Sequence, residues 1–258
     1  MTELAPSRRP RTKLMHVLTA LLALIFAPGA CAQDDPYAAQ REALIREIQA
    51  QVAELELELG TNRLDPAVIQ ALRRTPRHAF VPPPLRFRAY NNHPLPIGRG
   101  QTISQPFIVA IMSHLLEVKP GDKVYELGTG SGYQAAVLAE MGVEVYSVEI
   151  VTELAERAQQ VLTELGYTNV HVRAGDGYLG WPEAAPFDAV IVTAALDHVP
   201  QPLVDQLKTG GRLVMPIGEP GWTQQLAVLI KTPEGTLERR DLLPVRFVPV
   251  TGPGAGRE

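Results

Sequence analysis

The stretch Glu126-Leu127-Gly128-Thr129-Gly130-Ser131-Gly132 decides the fold. It closes the apolar segment KVYELG that starts at Lys123 and leads into a helix-forming run from Tyr133 to Met141, so it reads as a strand-to-helix turn. Glycines there allow positive φ and remove side chains, and the helix that follows offers unpaired N–H groups, so backbone can close around a ligand. A bare tight turn has the same composition. What lies on either side must decide between the two.

Outward from the turn, strand and helix alternate. EVYSVEI from Glu144, VHVRAGD from Val170, FDAVIVTAA from Phe187 and RLVMPIG from Arg212 read as strands, with helices from Glu153 to Leu165 and near Gln201 to Leu207. This predicts an α/β fold, a doubly wound, mostly parallel sheet with crossover helices. In such sheets ligands sit outside the carboxyl ends of the strands at the topological switch point, where the glycine turn should fall. Two later apolar segments, QLAVLIK and PVRFVPV, flank Pro233-Glu234-Gly235 and predict a terminal hairpin-like pair.

Upstream, Leu44, Ile45, Ile48, Val52, Leu55 and Leu59 recur at helical spacing, predicting one amphipathic helix over 37–59 that Gly60 stops. Asp65-Pro66 opens a short second helix to about Arg73, and Val81-Pro82-Pro83-Pro84 is expected to forbid regular structure. The expected organisation is a helical preface and substrate-side segment over 33–100, a catalytic domain over 101–251 and a flexible tail over 252–258. At 258 residues and 45% hydrophobic, the chain can bury one full-sized core. A net charge of -4 gives no reason to expect nucleic acid as a partner.

The first residues have signal-peptide order: Arg8, Arg9, Arg11 and Lys13, an apolar run from Leu18 to Ala27, then Ala30-Cys31-Ala32. Residues 1–32 are expected to be removed after Ala32, exporting a mature chain to the periplasm with no membrane span. Lipidation at Cys31 and twin-arginine export through Arg8-Arg9 stay open as other routes. A meaningless extension does not explain the ordered series. Cys31 is the only cysteine, so the mature chain has no disulfide or thiol chemistry.

The strand ends narrow the ligand. A dinucleotide fingerprint needs a third glycine where Tyr133 stands, so that reading fails. Glu149 ends the second strand, where a carboxylate can accept from both ribose hydroxyls. Asp176, between Gly175 and Gly177, can accept from the adenine amine or can simply be a turn residue. Acidic strand ends without a basic phosphate partner favour a nucleoside carrying a sulfonium over a nucleotide.

From about Leu64 to Thr251 the chain resembles the protein-L-isoaspartate O-methyltransferases. The resemblance rests on Leu95-Pro96-Ile97-Gly98 with Gly100-Gln101-Thr102-Ile103-Ser104-Gln105-Pro106, on Phe187 to Ala195, and on Arg246-Phe247-Val248-Pro249. It implies the Rossmann-like class I methyltransferase fold and S-adenosyl-L-methionine as cofactor, held by Glu126, Gly128, Thr129, Gly130, Ser131, Gly132, Glu149, Asp176 and Gly177. It implies isoaspartyl proteins or peptides as partners, bound by Thr102, Ile103, Ser104, Ala194, Arg246 and Val248. A monomer is expected, and no metal, since His93 and His198 lack the paired His, Cys or carboxylate spacing of a metal site. Leu196 stands where the family commonly has proline, so the loop to Pro200 is expected to be less rigid. The export signal is the other departure, since the family is usually cytoplasmic; a cytoplasmic location is therefore the alternative.

The implied reaction moves a methyl group to the free carboxylate of an L-isoaspartyl residue, giving an ester that can cyclise to a succinimide. An ionised carboxylate needs no general base, so the protein's work is desolvation and alignment. Ser104 is the catalytic candidate, its hydroxyl donating to one carboxylate oxygen while the other attacks. Its plainer reading is a cap on the helix starting near Pro106, and Arg246 to Pro249 equally suits an edge strand. His93 and His198 read as surface-loop residues. Two other functions compete: an exported binder of adenosine compounds or peptides, and a methyltransferase for small-molecule carboxylates.

Overall fold

The computed structural model describes residues 1–2 and 35–256, so the expected signal peptide lies, beyond its first two residues, outside the described residues. The chain divides into Met1–Asp35 and a second unit, Pro36–Glu258. In the second unit a seven-stranded sheet has the order β5-β4-β3-β6-β7-β8-β9. Its strands are β3 (Lys123–Leu127), β4 (Glu144–Glu149), β5 (Val170–Ala174), β6 (Phe187–Val192), β7 (Leu207–Ile217), β8 (Gln224–Lys231) and β9 (Leu237–Val245). The first five pair in parallel, and β7/β8 and β8/β9 are antiparallel. The chain runs outward from β3 to β5 and then returns to β6 on the other side of β3. The switch point therefore lies between β3 and β6, directly above the glycine turn.

Alternation along these strands feeds two cores. Val124, Ala189, Ile191 and Val214 pack in one cluster with α1 (Ala38–Glu54), α3 (Pro66–Arg74), α4 (Pro106–Leu115) and α5 (Tyr133–Glu140). Tyr125, Leu127, Val190 and Val192 face the other cluster, shared with Leu203 of α7 (Gln201–Gln206). Both faces are covered, which is why β6 is apolar without a break from Ala189 to Val192. Between β4 and β5, α6 (Thr152–Glu164) buries Leu154, Ala155, Ala158 and Leu162. Each buried leucine of this set contributes roughly 1.5–3 kcal/mol.

The preface differs from expectation in three ways. The predicted single helix breaks at Leu55, where backbone leaves helical geometry, and resumes as α2 (Glu56–Leu59) before Gly60 at φ 72 ends it. Asp65 caps α3 as predicted, its Oδ1 accepting from the Ala67 N–H at 2.7 Å. The proline run does not forbid regular structure: Pro83–Arg88 is a 3-10 helix, because proline suits a first turn whose N–H groups need no partner. The expected boundary after residue 100 cuts through an antiparallel hairpin of β1 (Leu95–Gly98) and β2 (Gln101–Ile103), with Leu95 opposite Ile103. The preface helices share a core with the sheet, so the boundary separates nothing physical.

The C-terminus also departs. A turn over Thr232–Thr236 sets the β8/β9 register, so the last strand is Leu237–Val245 and not Pro244 to Val250. After Val245 the chain leaves the sheet edge and crosses to β6: the Ala195 N–H donates to Val248 O at 2.7 Å, and the Val250 N–H to Ala195 O at 3.0 Å. Residues 252–256 are not the expected flexible tail. Pro253–Ala255 forms a 3-10 turn whose Gly254 N–H donates to Asp176 Oδ2 at 2.7 Å. Among the described residues no helix is long and apolar enough to cross a membrane.

Candidate active site

At the carboxyl ends of β3 and β6 a cavity is lined by Gly128 to Ser131, Glu149, Gly177, Thr193, Ala194, the 101–104 segment and Val248 to Thr251. The turn beneath it needs glycine for two distinct reasons. Gly128 has φ 97, and a Cβ there would lie 2.6 Å from Thr193 Oγ1, whose hydroxyl donates to Gly128 O at 2.6 Å. Gly132, at φ 86, would put a Cβ 3.2 Å from Leu162. It sits off the cavity wall and serves the packing of α5 against α6.

Glu149 closes the loop from the β4 side. Its Oε2 accepts from the Gly130 N–H at 2.7 Å and its Oε1 from the Val151 N–H at 2.9 Å, which fixes the carboxylate at the wall with lone pairs to spare. Beneath it runs a buried chain: Thr129 Oγ1 lies 2.5 Å from Ser147 Oγ, which donates to Glu126 Oε2 at 2.5 Å. Glu126 is fully buried and does not line the cavity, and its Oε1 has no hydrogen-bond partner among the described residues. Burial, aided by the nearby Glu149 charge and opposed by the Ser147 hydrogen bond, pushes its carboxyl up to about 8, so it is protonated at neutral pH.

Asp176 is not brought to the wall, although its neighbour Gly177 is. Its Oδ1 caps the Tyr178 N–H at 3.0 Å and its Oδ2 takes the Gly254 N–H, so the turn reading describes its position. His198 is a surface residue, as the sequence suggested, and bonds Tyr178 Oη and Asp197.

A second cavity adjoins the first, lined by Pro94, Thr102, Ser104, Gln105, Thr193, Thr223 and Pro244 to Val248. Thr102, Ser104, Thr193 and Val248 line both and form the junction. Ile103 and Ala194 face only the first cavity and Arg246 only the second. Helix α4 starts after Gln105 without a side-chain cap, and Asn92 Oδ1 takes the Phe107 N–H at 3.0 Å, so the Ser104 hydroxyl is not spent on capping. The Arg246 segment is not an edge strand either. The loop after Ala195, expected to be less rigid, is held: Leu196 is buried, and its carbonyl accepts from the Gly218 N–H at 2.8 Å.

Sequence reasoning missed Thr193, Tyr133, Gln134, Ile150 and Thr251 on the wall. Thr193 follows the end of β6, and the strand-end rule that found Glu149 would have found it. Thr251 carries no such signal, because only the return of the C-terminus across the sheet brings it there. Among the described residues no lysine or arginine lines the first cavity. The glycine cradle and Glu149 fit an adenosyl sulfonium, whose ribose hydroxyls a carboxylate can accept from.

A family model described as Protein-L-isoaspartate(D-aspartate) O-methyltransferase (PCMT) matches residues 50–255. Protein-L-isoaspartate O-methyltransferase 2 of Syntrophobacter fumaroxidans is 53% identical over 236 residues, covering 91% of this chain and 96% of its own. The Protein-L-isoaspartate O-methyltransferase of Gloeobacter violaceus is 60% identical over 185 residues, 72% of this chain and 90% of its own. A solved protein-L-isoaspartate O-methyltransferase superposes with TM-score 0.71 at 29% identity, covering 82% of this chain and 66% of that one. A Plasmodium falciparum structure in complex with S-adenosyl-L-homocysteine shares the fold, with TM-score 0.68 at 24% identity over 82% of this chain and 98% of that one.

Proposed function

The chain belongs to the protein-L-isoaspartate O-methyltransferase family, and on that premise we propose how its residues carry the reaction. It is an S-adenosylmethionine-dependent protein carboxyl O-methyltransferase that esterifies the free carboxylate of L-isoaspartyl residues in damaged proteins. The donor supplies a methyl group made electrophilic by the attached sulfonium. The residues proposed to hold it are Gly128 to Ser131, Glu149 for the ribose hydroxyls, and Gly177 at the adenine end, with Glu126 shaping the loop from below through Ser147 and Thr129.

The acceptor side is proposed to work by placement. An isoaspartyl carboxylate is already a nucleophile at neutral pH, so no side chain has to remove a proton. Ser104 donates its hydroxyl to one carboxylate oxygen and leaves the other free to attack, while Thr102, Ile103, Ala194 and Val248 exclude water. Arg246 faces the peptide from the second cavity. Orientation and desolvation of this kind have up to ~7–11 kcal/mol to contribute. The single observation that carries the reading is the junction: four residues line both cavities, so an acceptor and a donor can meet only there.

Export is part of the proposal, supported by the basic, apolar and small-residue order of 1–32. So is action as a monomer, supported by both cavities being built within one chain. The test is radiolabelled methyl transfer by the 33–258 chain to an isoaspartyl peptide, with the aspartyl peptide as control. Base-labile label on the isoaspartyl peptide alone is expected. Donor binding without label on either peptide would contradict it.

A further inference from the structure

Arg77 stands apart among the buried polar residues. It is fully buried in the 3-10 turn Arg77–Phe80, and among the described residues it forms no ion pair: it donates to two neutral carbonyls and lies over a ring. Nε donates to Ala89 O at 2.9 Å, Nη2 donates to Ser104 O at 2.7 Å, and the guanidinium carbon lies 4.6 Å from the centre of the Tyr133 ring. Burial pulls the guanidinium down to about 10, and it remains charged at neutral pH. Burying a cation without a carboxylate partner is expensive, and an apolar side chain of similar volume would serve stability at lower cost.

The partners suggest what the charge is for. Ser104 lines both cavities and Tyr133 lines the first, while Ala89 precedes the Tyr90 to Asn92 segment from which Asn92 holds the start of α4. The planar fork thus spans the acceptor strand and the first residue of the donor-side helix. Lysine, a single point charge, cannot bridge both in that geometry.

We infer that Arg77 is a positioning residue for methyl transfer, holding the Ser104 backbone against Tyr133 so that the acceptor carboxylate is aligned with the donor. This rests on the proposed role of Ser104. Arg77 itself touches neither cavity. Its contribution should appear in kcat and only through Ser104.

The test is a double-mutant cycle in the 33–258 chain with Arg77→Lys and Ser104→Ala, reading kcat and KM for an isoaspartyl peptide alongside thermal melting. Arg77→Gln runs in parallel: it removes the buried charge, so it folds even where an unpaired ammonium would not. Each single variant is expected to lose ~10–100-fold in kcat with a smaller change in peptide KM, and the double variant to lose no more than the worse single. Normal kcat in either Arg77 variant would overturn the inference. So would losses that multiply in the double variant, because they would mark Arg77 as a scaffold residue only. If Ser104→Ala alone keeps full kcat, the Ser104 reading falls and this inference with it, an outcome distinct from failure at Arg77 alone.

Discussion

The donor side and the acceptor side of the site are built by opposite means. The donor wall is centred on one local turn, Gly128 to Ser131, closed by Glu149 through the Gly130 N–H and braced below by Ser147 and Glu126, and the 101–104, 193–194 and 248–251 segments complete it. Its fixed groups are largely backbone. The acceptor wall is assembled from the 94–105 segment, Thr193, and the 244–248 segment, along which the chain leaves the sheet edge. Its working groups are side chains. Tight local geometry suits a cofactor whose shape never varies, whereas a wall of separate segments can admit a range of peptides.

That comparison breaks most visibly at Gly128. Gly128→Ala imposes a side chain at φ 97 against Thr193 Oγ1 and should strain the turn by about 1–3 kcal/mol. Calorimetric donor binding is expected to weaken by ~10–100-fold. Unchanged affinity would mean the turn is not the rigid half.

Glu126→Gln sharpens the same point through pH. The Glu126 carboxyl is pushed up to about 8 in the folded protein, above its ordinary value of 4.5. The folded state therefore holds that proton more tightly, and stability present below pH 4.5 is lost as pH rises through about 8. Glutamine cannot ionise. In denaturant unfolding, the variant should be more stable than the parent at pH 9 by up to a few kcal/mol, and should lose less stability between pH 6 and pH 9. An equal alkaline loss in both proteins would refute a neutral Glu126.

The smallest effect is expected at the edge of the acceptor wall. Arg246→Ala should raise peptide KM by roughly 3–10-fold, the value of one or two exposed charge contacts, and leave donor affinity unaltered. A change in donor affinity would contradict the placement of Arg246 on the second cavity alone.

Legibility follows the same division. The strand–helix alternation, the glycine turn and Glu149 were readable because periodicity and strand-end chemistry act over a few residues. The setting of Asp176 was not readable for the opposite reason: Gly254, distant in sequence, donates to its carboxylate. The same crossing of the C-terminus hid Thr251 and turned Arg246 from an apparent edge strand into cavity wall. On the acceptor side, Thr102, Ser104 and Val248 could be named only by family likeness, since nothing local distinguishes Ser104 from a helix cap. Nothing in the sequence around Arg77 marks it out. Only its burial against Ser104 and Tyr133 sets it apart.

The most direct test of two separately built halves meeting at one junction is Ser104→Ala, with donor affinity and single-turnover methyl transfer measured on the same preparation. Donor Kd should stay within about twofold of the parent while the transfer rate falls ~10–100-fold. An unchanged rate, or a rate loss explained wholly by weaker donor binding, would contradict the account.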